Sequence, residues 1–306
     1  MKPIVILGVF VADTAYRASR QPRMGETILG DSFALGPGGK GSNQAVAAAR
    51  AGGDVTFITR LGRDTFADMA LATWAGAGVT PAVTHDPTSY TGAAYIFVDS
   101  ATGDNAIIVA PGAASAISES DIDDHRDLIA GAGVFVTQLE QPLPAALRAL
   151  QVAREAGVTT ILNPAPAAPL PAGMLALCDY ITPNESEAEA LTGLPVTSIA
   201  EAEEAARALR AMGAGGVVIT LGDKGALFHD GEVFVHVPAI TAGPVVETTG
   251  AGDAFNGGFA VALAAGDDPV AAVRFGCATA GISVTRPGTA PSMPSRVEID
   301  ALLARA

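Results

Sequence analysis

The chain is predicted to fold as an α/β domain, a doubly wound and largely parallel sheet with a small β-sheet lid, and three observations lead there. Short β-rich apolar runs alternate with helical ones along most of the 306 residues, the rhythm of repeated βαβ units with short connections. The composition is aliphatic: 49% of residues are hydrophobic but only 5% are aromatic, which suits parallel strands covered by helices on both faces. Two stretches, Thr14 to Pro37 and Tyr90 to Pro111, break the rhythm as extended excursions without helices. No linker, low-complexity tract or internal repeat divides the chain. Residues 1–306 therefore read as one domain, with segments about 14–37 and 90–111 inserted as its lid.

Taken in order, Ile4 to Phe10 is a first strand. GGKG then leads into a helix, Gln44 to Arg50, with an Ala-rich face and Gly52-Gly53 as its stop. Val55 to Thr59 is a strand, and Asp64 opens the next helix. Ala93 to Val98 and Asn105 to Ala110 flank the turn DSATGD as a hairpin, with Thr27 to Leu35 available to supply partner strands. The βα rhythm resumes with strand Val134 to Gln138, helix Leu143 to Ala156 stopped by Gly157, strand Thr159 to Asn163, strand Tyr180 to Thr182, and a helix capped by Asn184. A helix near Ile199 to Met212 precedes strand Gly216 to Leu221 and two hairpin-like runs around Gly231. The last helices begin near Asp253, Pro269 and Ser295. Phe255, Phe259 and Leu263 mark the first of these by their four-residue spacing.

A formal net charge of -14 disfavours nucleic acid and anionic membranes as partners. Any phosphate must be held by backbone amides, a few basic residues and metal ions, which favours a small diffusing ligand. Cys178 and Cys277 are the only cysteines and lack metal-ligand spacing, so they read as buried thiols in a reducing cytoplasm. The N-terminal MKPIVILGVFVADTA has the apolar run of a leader, but it is β-rich, carries Gly8 and leads straight to Asp13, as a first strand would. No stretch approaches the roughly 18 uninterrupted apolar residues of a membrane span. His85, His125, His229 and His236 fall in unrelated contexts and are not site candidates.

GAGDAFNGGF, from Gly250 to Phe259, is the most informative stretch. A glycine turn meets a helix start, where the first N–H groups have no internal partner and the dipole favours an anion. Asp253 sits at that junction, either as a helix N-cap or as a base that takes a proton while neighbouring amides hold a phosphoryl group. Gly38-Gly39-Lys40-Gly41-Ser42-Asn43 is a second glycine turn before a helix. It matches neither the GxxxxGK[ST] phosphate loop nor the dinucleotide fingerprint. Its glycines let a ligand lie against the backbone, Lys40 could meet a phosphate, and Asn43 can both donate to and accept from sugar hydroxyls. Strand ends deliver Asp13, Glu140, Asn163, Asn184 and Thr220 to one sheet edge, where doubly wound folds bind ligands. In NESEAE, Asn184 and Glu187 lie on one side of a helical turn and could hold water around magnesium, while Glu185 and Glu189 read as a solvated face. TLGDKG, from Thr220 to Gly225, ends a strand in a glycine turn that could contact a nucleotide phosphate.

With GGKGSNQAVAAARAGG and ETTGAGDAFNGGF some 200 residues apart, the chain resembles the ribokinase, or PfkB-type, carbohydrate kinase family, and its ribokinase branch most. QLEQPL at Gln138, NPAPA at Asn163, ITPNESEAE at Ile181, ITLGDKGA at Ile219 and VTRPGTAPSMP at Val284 extend the resemblance over essentially the whole chain. It implies a homodimer formed through the lid and phosphorylation of a sugar hydroxymethyl group by ATP with Mg2+. Ribose is the first expectation, and another small sugar or nucleoside (2-deoxyribose, fructose, adenosine) the alternative. A non-catalytic sugar-binding regulator is the remaining reading, against which the intact Asp253 turn speaks. The resemblance makes Asp253 the base and Gly250, Ala251 and Gly252 the anion hole. It puts Asp13, Gly39, Asn43 and Glu140 on the sugar, and Asn184, Thr220, Gly222, Asp223 and Gly225 on the nucleotide. Glu187 would act on magnesium through water, and Glu247, Thr249, Ser283, Arg286, Gly288 and Ser292 match the positions of a potassium site. Two positions depart from the family pattern. Val11 stands where an Asn is usual, and a sugar hydroxyl left facing it would cost on the order of 1–3 kcal/mol. Glu247 replaces an Asp, adding one methylene beside the potassium positions.

Overall fold

Successive residues of the first strand, β1 (Ile4–Leu7), point into opposite cores: Ile4 and Ile6 into one apolar cluster, Val5 and Leu7 into the other. A strand of four consecutive buried apolar residues is what a sheet covered on both faces requires. The computed structural model describes residues 1–306. From β1 the chain enters β2 (Val11–Ala18) and β3 (Ser32–Gly38), then helix α1 (Lys40–Arg50), β4 (Val55–Leu61), α2 (Thr65–Ala77), β5 (Thr80–His85), β6 (Thr91–Asp99) and β7 (Asn105–Gly112). Two short helices, α3 (Glu119–Asp124) and α4 (Arg126–Ala130), precede β8 (Val134–Thr137), α5 (Leu143–Glu155), β9 (Thr159–Leu162), β10 (Tyr180–Ile181), α6 (Glu185–Thr192) and α7 (Ile199–Ala211). The chain closes with β11 (Gly216–Thr220), β12 (Ala226–His229), β13 (Phe234–Val237), α8 (Ala251–Ala265), α9 (Pro269–Ser283) and α10 (Arg296–Leu303).

The main sheet has the order β13-β12-β11-β10-β9-β8-β1-β4-β5 and is parallel except at its β11-β12-β13 end. One face is covered by α1, α2, α8, α9 and α10, the other by α3 to α7, so the fold is doubly wound as predicted. Trp74 locks the first layer. It is fully buried, packs edge-to-face on Phe10 and Phe57, and donates its indole N–H to Ser42 Oγ at 2.9 Å, tying α2 to the start of α1.

The lid is a four-stranded sheet, β3-β2-β6-β7, built from the two excursions. Its boundaries differ from the expected ones. The first strand ends at Leu7 rather than Phe10, and the lid begins at Val11. The partner strand runs Ser32–Gly38, so Thr27 to Asp31 is not part of it. Asp13 consequently lies within a lid strand, not at the end of a main-sheet strand. Tyr16, Phe33 and Tyr95 cluster on the face opposite Asp13, with centroid distances of 5.0 and 5.6 Å from Tyr16. Ile108, opposite Tyr95 in the β6-β7 pairing, extends that apolar face and is 68% exposed.

Strand β5 and helices α3 and α4 were not legible. Pro81 argues against a strand, but β5 is an edge strand, where a missing N–H is tolerated. Helix α3, ESDIDD, has no apolar period and is held by a capping box between Ser118 and Asp121.

Candidate active site

Helix α8 begins on Gly250, in the left-handed conformation at φ 81°, so Asp253 is the third helical residue and not the N-cap. Its carboxylate does no capping. Oδ2 accepts from Asn43 Nδ2 at 3.0 Å and Oδ1 from Gln44 Nε2 at 3.1 Å, both on the first turns of α1. The helix-cap alternative is thereby removed. Of the amides expected to form an anion hole, those of Gly250 and Gly252 have no partner within the protein. That of Ala251 donates to the Thr248 carbonyl at 3.1 Å. Gly252 is exposed, and a Cβ added there would meet nothing within 4 Å, so no side chain crowds the helix start at this residue.

Around Asp253 the two glycine turns converge. Gly39, at φ 88°, starts α1, and a Cβ there would lie 2.5 Å from the Val9 carbonyl, so only glycine fits. The Lys40 amide donates to Glu140 Oε2 at 2.7 Å across the cleft. Asp13 reaches in from the lid, against Gly38, where a Cβ would lie 2.2 Å from its Oδ2. Asn43 is 4% exposed and its Oδ1 has no partner, leaving a buried acceptor free for a ligand hydroxyl.

Three carboxyl groups share this pocket, and each is harder to ionise than usual. Burial, reinforced by the Asp253 charge, pushes Asp13 up to about 6. Burial pushes Glu140 up to about 7, partly offset by Lys40. Burial also raises Asp253, while the Lys40 charge and the amides of Asn43 and Gln44 pull it back. Such a cluster marks a functional site more often than a structural one.

Beyond Gly252 lies a cavity of about 430 Å³, bounded by Asn184, Thr220, Gly222, Asp223, Gly225, Phe255 and Cys277. All five residues expected on the nucleotide side line it. Gly222 at φ 56° and Gly225 at φ 98° shape the turn after β11, and a Cβ on Gly225 would lie 2.1 Å from the Val237 carbonyl. Asn184 and Glu187 form a reciprocal capping box at the start of α6, each side chain accepting from the other's amide at 2.9 Å. Glu187 is 9% exposed and its carboxyl is raised by burial. Its second oxygen accepts nothing from the protein.

Of the positions matched to potassium, Ser283, Arg286, Gly288 and Ser292 lie at the end of α9 and after it, and Glu247 and Thr249 on the loop before α8. Glu247 accepts from the Gly288 amide at 2.7 Å. The Ser283 and Ser292 hydroxyls donate to carbonyls of their own turns, at 2.9 and 2.7 Å. The Arg286 guanidinium, itself a cation and paired with Glu298, cannot ligate an ion, so only the residue's carbonyl is suited to one. Thr249 is exposed on the adjoining loop.

Sequence reasoning passed over Gln44, Gln138, Thr182 and Asn256, all buried. Gln138 Nε2 donates to Gln44 Oε1 at 2.6 Å, and Gln44 Nε2 also reaches Asn163 Oδ1 at 3.1 Å. Asn163 Nδ2 donates to the Thr182 carbonyl at 2.9 Å, so Asn163 supports the site from below and does not face a ligand. A signal existed: a run of amides at positions that otherwise read as core.

A buried carboxylate at a free helix start, beside two further carboxyl groups and one residue from a glycine-lined cavity, is the arrangement of a phosphotransferase that acts on a hydroxyl group. The pfkB family carbohydrate kinase pattern matches residues 1–296, and the chain belongs to that family. Ribokinase from Haemophilus influenzae is 39% identical over 300 residues, covering 97% of each chain. Deoxyribokinase from Salmonella typhi is 37% identical over 294 residues, covering 95% of each. The structure of Arabidopsis thaliana ribokinase complexed with ribose and ATP superposes with a TM-score of 0.95 at 33% identity, covering 99% of this chain and 98% of that one. The protein is a sugar kinase of the ribokinase type. No helix is long and apolar enough to cross a membrane.

Proposed function

We propose that the chain phosphorylates the C5 hydroxyl of ribose with ATP, Asp253 acting as general base. The observation that carries this is the position of Asp253, fixed by Asn43 and Gln44 at the unpaired amide end of α8, beside Asp13 and Glu140 and one residue from the cavity that Gly252 lines. Asp13, Glu140 and Asn43 orient the sugar by accepting its hydroxyls. Asp253 takes the proton of the attacking hydroxyl as the new oxygen–phosphorus bond forms and the bond to the β-phosphate oxygen breaks. The Gly250 and Gly252 amides face the charge that develops on the transferring group. The lid excludes water from the closed site. The arabidopsis relative, which binds ribose and ATP, supports the assignment. Asp253→Asn should lower kcat by about 10³-fold or more while sugar affinity stays within a few-fold, and retained turnover would end the role of Asp253.

The nucleotide fits the glycine-lined cavity beside Gly252. Magnesium fits Glu187, whose free oxygen can accept from metal-bound water, and would neutralise phosphate charge. A monovalent cation suits the carbonyls and neutral hydroxyls around Ser283, Gly288 and Ser292 better than a divalent one, and potassium is the proposed occupant. The exposed apolar face at Tyr16, Phe33 and Ile108 is proposed to pair with a second copy; a monomer in sedimentation at micromolar concentration would refute this.

One observation favours a second reading. Val11, two residues before Asp13, is 6% exposed and packed among apolar side chains, and its own side chain has no group to meet a hydroxyl. A sugar lacking one hydroxyl would fit, and a deoxyribokinase is nearly as similar to this chain as a ribokinase is. Comparing kcat/KM for ribose, 2-deoxyribose, fructose and adenosine, with and without potassium, separates the two; a preference for 2-deoxyribose of tenfold or more, about 1.4 kcal/mol, would overturn the ribose assignment.

A further inference from the structure

Gln44 is wholly buried, does not border the nucleotide cavity, and spends both ends of its amide on other side chains. Its orientation is forced. An ionised carboxylate can only accept, so Nε2 must face Asp253, and Oε1 must then face Gln138, which has to donate. A flipped Gln44 would set oxygen against oxygen on one side and amide against amide on the other. Gln138 is held in turn by a slot between two glycines: a Cβ on Gly8 would lie 2.4 Å from its Oε1, and one on Gly41 2.8 Å. From Gln44 the chain of bonds passes through Asn163 to the Thr182 carbonyl. It returns from the Thr182 hydroxyl to Asn256 Oδ1 at 2.6 Å, and from Asn256 Nδ2 to the Gly252 carbonyl at 2.8 Å. The carboxylate of Asp253 and the peptide of Gly252 are thus fastened to one buried ring of hydrogen bonds.

We propose that Gln44 is a positioning residue for the base: backed by Gln138, it holds Oδ1 of Asp253, fixing the carboxylate's rotamer toward the attacking hydroxyl and keeping it ionised in a buried site. The inference rests on the reading of Asp253 as base. It differs from that reading in making the second layer, not only Asp253 and Asn43, set the pH at which the base works. A hydrogen bond to the charged form favours that form, so its loss must move the proton affinity of Asp253 upward. A purely structural role for Gln44 would lower the amount of folded enzyme and leave that affinity alone.

The test compares the wild type with Gln44→Met, which keeps length and removes the donor. Lys40, Asp13 and Glu140 also face Asp253, and the two carboxyls, raised to about 6 and about 7, titrate in both enzymes, so the part of the acid limb that differs between them reports the base. That part of the kcat/KM profile for the best sugar should move up by about one pH unit, with kcat lower by about 10- to 100-fold and sugar KM within about threefold. Since Gln44→Met orphans Gln138, the double variant Gln44→Met, Gln138→Met should show the same limb with better folding. The carboxyl carbon resonance of Asp253, assigned by its loss in Asp253→Asn, gives the titration without turnover and should shift in step. In the wild type alone, the Gln44 side-chain amide resonances should follow that titration, a measurement that needs no folded variant. A limb and a carboxyl titration that stay put, or wild-type Gln44 resonances indifferent to the Asp253 titration, would overturn the proposal. A wild type that turns over no sugar would instead defeat the kinase reading, while the two resonance measurements would still decide the role of Gln44.

Discussion

The two halves of the cleft are made of different material. The half around Asp13, Asn43 and Glu140 presents side chains, two half-buried carboxyl groups and one buried amide. The half around Gly222, Gly225, Gly250 and Gly252 presents mostly backbone, with the first three glycines at positive φ and the fourth in the first turn of α8. Each choice follows from the ligand it suits. Hydroxyls are best told apart by acceptors fixed in position and shielded from water, and the cost of shielding appears as the raised carboxyl groups of Asp13 and Glu140. Phosphates are met by amides and a helix dipole, which carry no titratable proton. The first half should therefore be sensitive to charge and pH, and the second to backbone conformation.

Glu140→Gln gives the largest separation between the halves. The substitution keeps an oxygen for the Lys40 amide but removes the charge proposed to accept a sugar hydroxyl. Sugar KM should rise about 10- to 100-fold, as expected for a lost charge-assisted bond, with ATP KM within about twofold. Steady-state kinetics with each substrate varied in turn checks it, and an equal rise in both constants would erase the division.

Gly225→Ala probes the other half with a smaller effect. At φ 98° an alanine is strained, and its Cβ would collide with the Val237 carbonyl. The turn must open, costing about 1–3 kcal/mol of stability, and ATP KM should rise about tenfold while sugar affinity measured by calorimetry holds. A sugar affinity that fell in parallel would show that the halves are one mechanical unit.

The same contrast governs what could be read from the sequence. Backbone features announce themselves locally. GAGD, GGKG and TLGDKG each stand out in the sequence as a glycine cluster, and the five residues matched to a nucleotide line one cavity. The side-chain half depends on distant pairings. That Asp13 belongs to a lid strand, or that Gln44 meets residues 94 and 209 positions away, is set by packing and not by any local period. The parallel sheet was legible from its apolar runs, whereas β5 with its Pro81 and the acidic α3 broke the patterns by which strands and helices are found.

The smallest effect is on stability, and it distinguishes the halves without any substrate. Asp13 and Glu140 have folded-state pKa values above the ordinary carboxyl range, at about 6 and about 7. Between about pH 4 and pH 7 these two groups therefore hold more protons in the folded chain than in the unfolded one, and their contribution to stability must fall as pH rises through that window. The sign is opposite to that of a salt-bridged carboxylate, whose contribution grows with pH. Removing the Glu140 charge should remove its share of the fall, so Glu140→Gln should melt with the wild type near pH 4 and a few degrees above it at pH 8. Gly225→Ala, which changes no titrating group, should lower the melting temperature by the same amount at both pH values. A Glu140→Gln variant less stable than the wild type at pH 8 would mean that the glutamate is compensated in the folded chain, and that this half of the cleft stores no electrostatic cost for its ligand to relieve.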